Sequence, residues 1–333
     1  MDMTLFIIVL IVIFAFAFDF INGFHDTANA IATSVSTKAL SPKVAIVLAA
    51  SMNFIGALTF TGVAKTVSKD IVDPFTIHNG LVVVLSALIA AIAWNLITWY
   101  YGIPSSSSHA IIGAIAGAAI SAAGFHAIQY SGFIKIIEAL ILSPFIALAV
   151  GFIMMTIFAL IFKNANLSKT NRGFRTFQIF TAALQSFSHG TNDAQKAMGI
   201  ITLALISGKF LEAGSDVPDW VRLGAATAMG IGTSIGGWKI IKTVGGKITK
   251  LQPVNGAAAD LSSALIIFTF TALHLPVSTT HVISTAIMGV GSAKRVKGVK
   301  WGVARKIVMT WIITLPISAL IAAGIYQVLN LFL

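Results

Sequence analysis

The sequence predicts an all-α polytopic membrane protein made of two inverted repeats, with broken helices and motif-bearing hairpins. Three observations carry that prediction. Of 333 residues, 57% are hydrophobic and only 10% charged, with a mean hydropathy of +0.91, whereas a soluble domain carries about 25% charged residues. A polar stretch set in apolar sequence, Phe20-Ile-Asn-Gly-Phe-His-Asp-Thr-Ala-Asn29, returns without gaps as Phe187-Ser-His-Gly-Thr-Asn-Asp-Ala-Gln-Lys196. A second stretch, Ile103-Pro-Ser-Ser-Ser-Ser-His109, returns as Leu275-Pro-Val-Ser-Thr-Thr-His281. The offsets are 193 − 26 = 167 and 281 − 109 = 172, and two motif pairs at a nearly constant offset mark an internal repeat.

The candidate spans are the runs nearly free of Lys, Arg, Asp and Glu, each needing about 20 residues to cross a bilayer. They fall near 3–33, interrupted by the first motif, then 44–64, 80–101, 104–124 and 139–162. The second half gives 176–207, interrupted by the second motif, then 223–238, 257–275, 277–293 and 307–332. The domain reading is therefore an N-terminal inverted repeat over 1–162, a cytoplasmic basic connection over 163–175 and a C-terminal inverted repeat over 176–333. Both 104–124 and 277–293 follow a motif-bearing turn, which leaves re-entrant and full-span hairpins open. Trp99-Tyr-Tyr101 has the composition of an interfacial aromatic belt and favours full spans.

Charge orients the spans. Lys163–Arg175 carries four basic residues and no acid, Lys239–Lys250 carries four Lys, and Lys294–Lys306 carries six Lys or Arg. Basic connections face the cytoplasm. Lys209–Arg222 holds three acids and Lys65–Asp73 is balanced, so both go outside, as do both termini. Segments 3–33 and 176–207 then cross in opposite directions, the arrangement of transporters built from inverted repeats.

Composition also excludes. There is no cysteine, hence no disulfide and no thiolate-held metal or cluster. The start, Met1-Asp-Met3, lacks the basic n-region of a cleavable signal. The net charge of +11 is spread in clusters between apolar runs, which fits the inner membrane surface and not nucleic acid.

Ionisable and amide residues in a span are costly and mark function. Helical spacing puts Asn22, Asp26 and Asn29 on one face. A carboxylate with amide carbonyls suits sodium, and the carboxyl group alone suits a proton. The second copy places His189, Asp193 and Lys196 on one face, with Asn192 beside them; a neutralising intramembrane Asp193–Lys196 ion pair is the alternative to a coupling role there. Candidate sodium oxygens on this reading are those of Asp26 and its amide neighbours Asn22 and Asn29. Because Asn29 matches Lys196 and His25 matches Asn192, the two halves cannot bind identical ions. Gly23 and Gly190 suit a broken helix or a close backbone approach.

Pro followed by hydroxyl residues is a helix start, and a helix N-terminus is an anion site. Ser105, Ser106, Ser107 and Ser108, with Ser278, Thr279 and Thr280, offer donors to a tetrahedral oxyanion clasped from two sides. His109, His189, Lys196, Asp260 and His281 are supporting residues. Asp260 lies alone in an apolar segment and needs a partner, and Asn53 sits in the middle of 44–64.

On these motifs the chain resembles the PiT family of inorganic phosphate transporters, particularly its bacterial low-affinity members, over essentially its whole length. The resemblance rests on Gly23-Phe-His-Asp-Thr-Ala-Asn29, Ser188-His-Gly-Thr-Asn-Asp193, Pro104-Ser-Ser-Ser-Ser-His109 and Pro276-Val-Ser-Thr-Thr-His281. It implies phosphate uptake by cation symport, proton or sodium, through a central site made from both motif pairs. It implies cation binding or coupling by Asp26, Asn29, Asn192 and Asp193, phosphate binding by the hydroxyls after Pro104 and Pro276, and no organic cofactor. Animal sodium-coupled relatives carry Asn where this chain has Lys196, and their acids fall at Asn53 and Asp260. The bacterial members are usually described as proton-coupled. The expected setting is the cytoplasmic membrane, and a homodimer is compatible with the sequence.

Three other functions compete. A sulfate transporter of the same fold would use donors only, whereas hydrogen phosphate brings a proton for Asp26 or Asp193 to accept. Ser106 or Ser108 with His109 offers an intramembrane hydrolase dyad, but a duplicated motif does not suit an enzyme that needs one nucleophile with its base and oxyanion hole. A channel is disfavoured because broken helices with intramembrane acids suit alternating access.

Overall fold

The computed structural model describes residues 3–72, 77 and 79–333. Asp73 and the first two residues, used in the charge and signal arguments, lie outside the described residues. Those described form thirteen α-helices and two short 3-10 turns, without strands. The first half comprises α1 (Met3–His25), α2 (Thr27–Ser36), α3 (Pro42–Ala57), α4 (Gly62–Lys69), α5 (Gly80–Tyr101), α6 (Ser107–Ala123) and α7 (Tyr130–Ile161). The second comprises α8 (Leu167–Ser207), α9 (Asp219–Ile235), α10 (Trp238–Gly246), α11 (Pro253–Ala272), α12 (Thr279–Lys294) and α13 (Trp301–Leu329).

The packing exchanges the halves. Helix α6 packs on α13 while α12 packs on α7, and α1 packs on α9 while α3 packs on α8. Likewise α2 meets α10 and α4 meets α8. Each contact in one half has its counterpart in the other, as a pseudo-two-fold requires. The glycines of the polar motifs follow the same rule. A Cβ at Gly23 would sit 2.4 Å from the Met229 carbonyl oxygen, and one at Gly190 would sit 2.3 Å from that of Asn53. These glycines therefore serve close backbone approach, of α1 on α9 and of α8 on α3. The helices of the outer layer, α7 and α13, turn Leu142, Phe145, Leu160, Ile312 and Leu320 outward, the surface a bilayer would cover.

Several spans differ from expectation. The second motif does not interrupt 176–207, because α8 runs unbroken for 41 residues. With Gly190 spent on packing and no proline nearby, nothing in that stretch ends the helix. The first motif breaks its helix only locally. Asp26 N–H donates to the Asn22 carbonyl and Asn29 N–H to the Asp26 carbonyl, both at 2.9 Å, and Met3–Ser36 still reads as one 34-residue span. A sharper break falls inside the expected span 44–64, where α3 and α4 meet at 68°. Of the basic segment 163–175, the part from Leu167 onward forms the first turns of α8.

The hairpins are neither simple re-entrant loops nor pairs of equal spans. Helix α5 is 22 residues long, about 33 Å, and α6 has 17. Between them 102–106 is unwound and leads from the exposed Tyr100 and Tyr101 to the fully buried Ser107. The second hairpin repeats this from the exposed Leu273 to the buried Thr279. Both α6 and α12 therefore start inside the protein.

The connections sort into two groups. Lys65 pairs with Asp216, Gln129 N–H donates to the Ile71 carbonyl, and Asn79 Nδ2 donates to Asn330 Oδ1 at 2.9 Å. Elsewhere Lys300 N–H donates to the Ile248 carbonyl, Lys294 Nζ to Gln252 Oε1 and Lys239 Nζ to the Tyr100 carbonyl. The first group ties connections assigned outside by charge to each other and to the turn before α7, and the second ties those assigned inside to each other and to the end of α5.

Candidate functional site

Pro104 and Pro276 come just before two helix starts, capped alike. Ser106 accepts from the His109 N–H at 3.1 Å and Ser278 from the His281 N–H at 3.3 Å. Ser106 Oγ also lies 2.9 Å from His109 Nδ1. Helix geometry leaves the first-turn N–H groups of α6 and α12 without intrahelical acceptors. The two tips touch, since Ser108 Oγ donates to the Val277 carbonyl at 2.8 Å and the rings of His109 and His281 are 4.4 Å apart.

Each motif carboxylate takes a hydroxyl from its own half's hairpin. Ser107 Oγ donates to Asp26 Oδ2 at 2.5 Å, and Thr279 Oγ1 donates to Asp193 Oδ2 at 3.1 Å. Since 279 − 107 = 172, these contacts are counterparts under the repeat. Thr280 crosses between halves, donating to Asp26 Oδ1 at 3.0 Å and accepting from Asn29 Nδ2 at 2.9 Å. Asn22 crosses the other way, its Nδ2 donating to Asp193 Oδ2 at 3.4 Å. All these side chains are almost wholly buried. The result is two helix starts, three hydroxyls and two acids joined in one centre.

The centre is unequal in the way the motifs foretell. In the first half, His25 Nδ1 lies 2.6 Å from Asp26 Oδ1 and Nε2 lies 3.0 Å from Thr98 Oγ1. In the second, Asn192 stands in place of His25, donating to Thr271 Oγ1 at 2.9 Å and accepting from Val277 N–H at 3.2 Å. Lys196, fully buried, sets its ammonium on Asp193 Oδ1. His189 Nε2 lies 3.2 Å from Asp193 Oδ2, and its Nδ1 lies 3.0 Å from Asn53 Oδ1. Asn53 Nδ2 in turn donates to Thr27 Oγ1 at 2.8 Å.

The candidate sodium oxygens divide accordingly. Beside Asp26, the buried Asn29 Oδ1 has no hydrogen-bond partner, so a hard cation fits there. On the other side the Asn192 carbonyl is taken by Val277 N–H and Asp193 is held by an ammonium, so the donor set does not fit. Among the described residues no three His, Cys, Asp or Glu side chains converge on one metal position.

The other candidates lie at the edge. Ser105 Oγ meets Thr98 Oγ1 at 2.8 Å, so of the four serines only Ser107 reaches a motif carboxylate. Asp260 stands apart on α11, receiving Thr33 Oγ1 at 2.5 Å, Thr181 Oγ1 at 3.4 Å and Gln178 Nε2 at 3.5 Å. His281 stacks on Trp311 at 3.9 Å, and with His109 it borders an apolar cavity of about 810 Å³ between α7 and α13.

Sequence reasoning overlooked Asp19. It is fully buried on α1 and neither carboxylate oxygen has a partner. The signal was present: an acid in an apolar run, three residues before Asn22 and seven before Asp26, on the same helix face.

The profile of the phosphate transporter family, PHO4, matches residues 22–322. The chain is 70% identical over 331 residues to a "Probable low-affinity inorganic phosphate transporter" of Bacillus subtilis, covering 99% of each chain. It is 44% identical over 329 residues to a protein of the same description from Rhizobium meliloti, covering 98% of each. Among solved structures it is similar to "The sodium-dependent phosphate transporter", with a TM-score of 0.88 and 28% identity over 98% of this chain and 100% of the other.

Proposed function

Because this chain belongs to the phosphate transporter family, we propose that it imports inorganic phosphate across the cytoplasmic membrane by cation symport. It is a multi-pass membrane protein, with five helices among the described residues long and apolar enough to cross a bilayer, or six if α3 and α4 count as one. Its family and relatives are transporters and not enzymes, so the Ser106–His109 contact is a helix cap rather than a hydrolytic dyad.

The observation that carries the reading is the convergence of both hairpin starts on Asp26 and Asp193. Two helix N-termini attract an anion, and the hydroxyls of Ser107, Thr279 and Thr280 can swing from carboxylate to phosphate oxygens. Asp26 and Asp193, left as acceptors beside the anion, suit a substrate that carries its own O–H group. Sulfate lacks that donor at neutral pH and would face unpaired acceptors, at a cost of about 1–3 kcal/mol each.

Coupling follows from charge. An anion entering a centre that already holds buried carboxylates needs cations or protons with it. Lys196 supplies one fixed positive charge beside Asp193, which leaves the remaining buried acids to a mobile one, sodium or a proton. The printed name of the structural neighbour gives sodium precedent in this fold. Orientation is part of the proposal: the group of connections containing Lys294 and Lys300 faces the cytoplasm, and both chain ends face outward.

Purified protein in liposomes should accumulate radiolabelled phosphate when a cation gradient is imposed. Excess unlabelled phosphate should block the uptake and sulfate should not. Robust sulfate uptake with indifference to phosphate would overturn the substrate assignment.

A further inference from the structure

The group that carries the coupling charge has a candidate outside both repeated motifs. Asp19 lies on α1 with its side chain fully buried and both carboxylate oxygens unpartnered. One turn along the same face, Asn22 also has a bare oxygen: its Nδ2 donates to Asp193 Oδ2 at 3.4 Å, and its Oδ1 has no partner. Asp19 is within electrostatic range of Asp193 and Lys196. Its counterpart by the repeat, 19 + 167 = 186, is Ser186. The first half thus carries an extra acid where the second carries an extra base at Lys196.

A buried carboxylate without a partner is among the costliest arrangements a protein can hold. One proton removes the charge and turns one of the two bare oxygens into a donor. A protonated Asp19 donates its O–H to Asn22 Oδ1, three residues along the same helix, and Asn22 already donates onward to Asp193. One particle thus neutralises Asp19 and gives the bare Asn22 oxygen a donor. Sodium is a poorer occupant, because Lys196 already places a positive charge in this pocket and sodium needs a shell of oxygens, whereas a proton needs one acceptor.

We propose that Asp19 is the proton-carrying residue of the symport cycle, taking a proton when the centre opens outward and releasing it to the cytoplasmic side. This rests on the phosphate-symport reading above and names its coupling ion. The proton arrives from the outer solution, forms an O–H bond on one Asp19 oxygen, and leaves to water on the inner side. The titratable groups facing α1 are few. Helix α8 brings His189, Asp193 and Lys196; α9 brings Asp219 and Arg222, at its outer end; and α5 brings Tyr100 and Tyr101, at its exposed end. His25 and Asp26 close α1 itself. Helix α2 brings none. Asp193 is paired with the Lys196 ammonium, and Asp26 accepts from two hydroxyl donors. Asp19 alone among the three acids has nothing to hold a negative charge in place.

The test uses full-length protein in liposomes and two assays, phosphate exchange between equal internal and external pools and accumulation driven by a pH gradient in sodium-free buffer. For Asp19→Asn, the ratio of driven accumulation to exchange should fall at least tenfold, and the protons entering per phosphate should fall by one. Asp19→Glu keeps a carboxyl group and should restore the ratio to within about threefold. Difference infrared spectra of the wild type should show the carbonyl stretch of a protonated carboxyl that Asp19→Asn lacks. An undiminished ratio in Asp19→Asn overturns the proposal, as does loss of driven uptake in Asp19→Glu with exchange intact. If Asp19→Asn misfolds, the Asp19→Glu ratio decides, together with a shift of the wild-type carboxyl band in Asp19→Glu; a band that does not move in that variant overturns the proposal. A wild type that exchanges phosphate but ignores the pH gradient overturns this proposal alone, whereas a wild type without phosphate exchange overturns the reading beneath it.

Discussion

Replacing Lys196 with methionine should destabilise the protein by about 3 kcal/mol, and removing Asp193 as well should recover most of that loss. The ammonium is fully buried and touches Asp193 Oδ1. Removing one partner of such a pair leaves an uncompensated buried charge, typically costing about 3–5 kcal/mol, while removing both is often neutral. The lower end applies here because Asp193 keeps Thr279 at 3.1 Å and Asn22 at 3.4 Å, with His189 3.2 Å away. Methionine fills the space of the Lys stem with little steric change. The assay is a four-protein cycle of wild type, Lys196→Met, Asp193→Asn and the double variant, unfolded by denaturant in detergent micelles. Phosphate uptake is measured in parallel. The double variant should lie within about 1.5 kcal/mol of wild type, with a coupling energy between the sites, and should not transport. A Lys196→Met protein as stable as wild type would refute the argument, and so would a double variant no better than the single.

Other outcomes follow from the same contacts. Asp26→Asn should abolish driven phosphate uptake, because Ser107 and Thr280 lose their shared carboxylate; near-normal uptake would remove Asp26 from the centre. Ser107→Ala and Thr279→Val should each weaken phosphate binding by roughly tenfold to a hundredfold, the worth of one hydrogen bond to a charged group, whereas Ser105→Ala, which removes a contact with Thr98, should change it less than threefold. Gly190→Ala should lower the yield of folded protein severely, since its Cβ would meet backbone 2.3 Å away, while Gly173→Ala, with nothing within 4 Å, should express normally; thermal melts in detergent check both.

Much of this site was legible because charge in an apolar sequence has few explanations. Two repeated motifs, read with helical spacing, led to Asp26 and Asp193, to the Lys196 ion pair and to the two capped helix starts. The expected interruption at the second motif was not legible. A glycine among polar residues resembles a break, yet Gly190 exists so that α3 can lie against α8, which only tertiary packing reveals. The serines had the same limit. Four consecutive hydroxyls look equivalent in sequence, and the unwound approach to α6 sends one to Thr98, one to a cap, one to Asp26 and one to the opposite tip. Asp19 was missed because it lies one residue before the repeated motif, and its counterpart Ser186 carries no charge to draw attention to the position.

Equilibrium binding of radiolabelled phosphate to the purified protein tests the central claim most directly, that both hairpin starts and both acids hold one phosphate. The account predicts saturable binding of one phosphate per chain, not displaced by excess sulfate and weakened in Ser107→Ala and in Thr279→Val alike. Binding that either variant leaves unchanged, or that sulfate displaces as readily as phosphate, would contradict it.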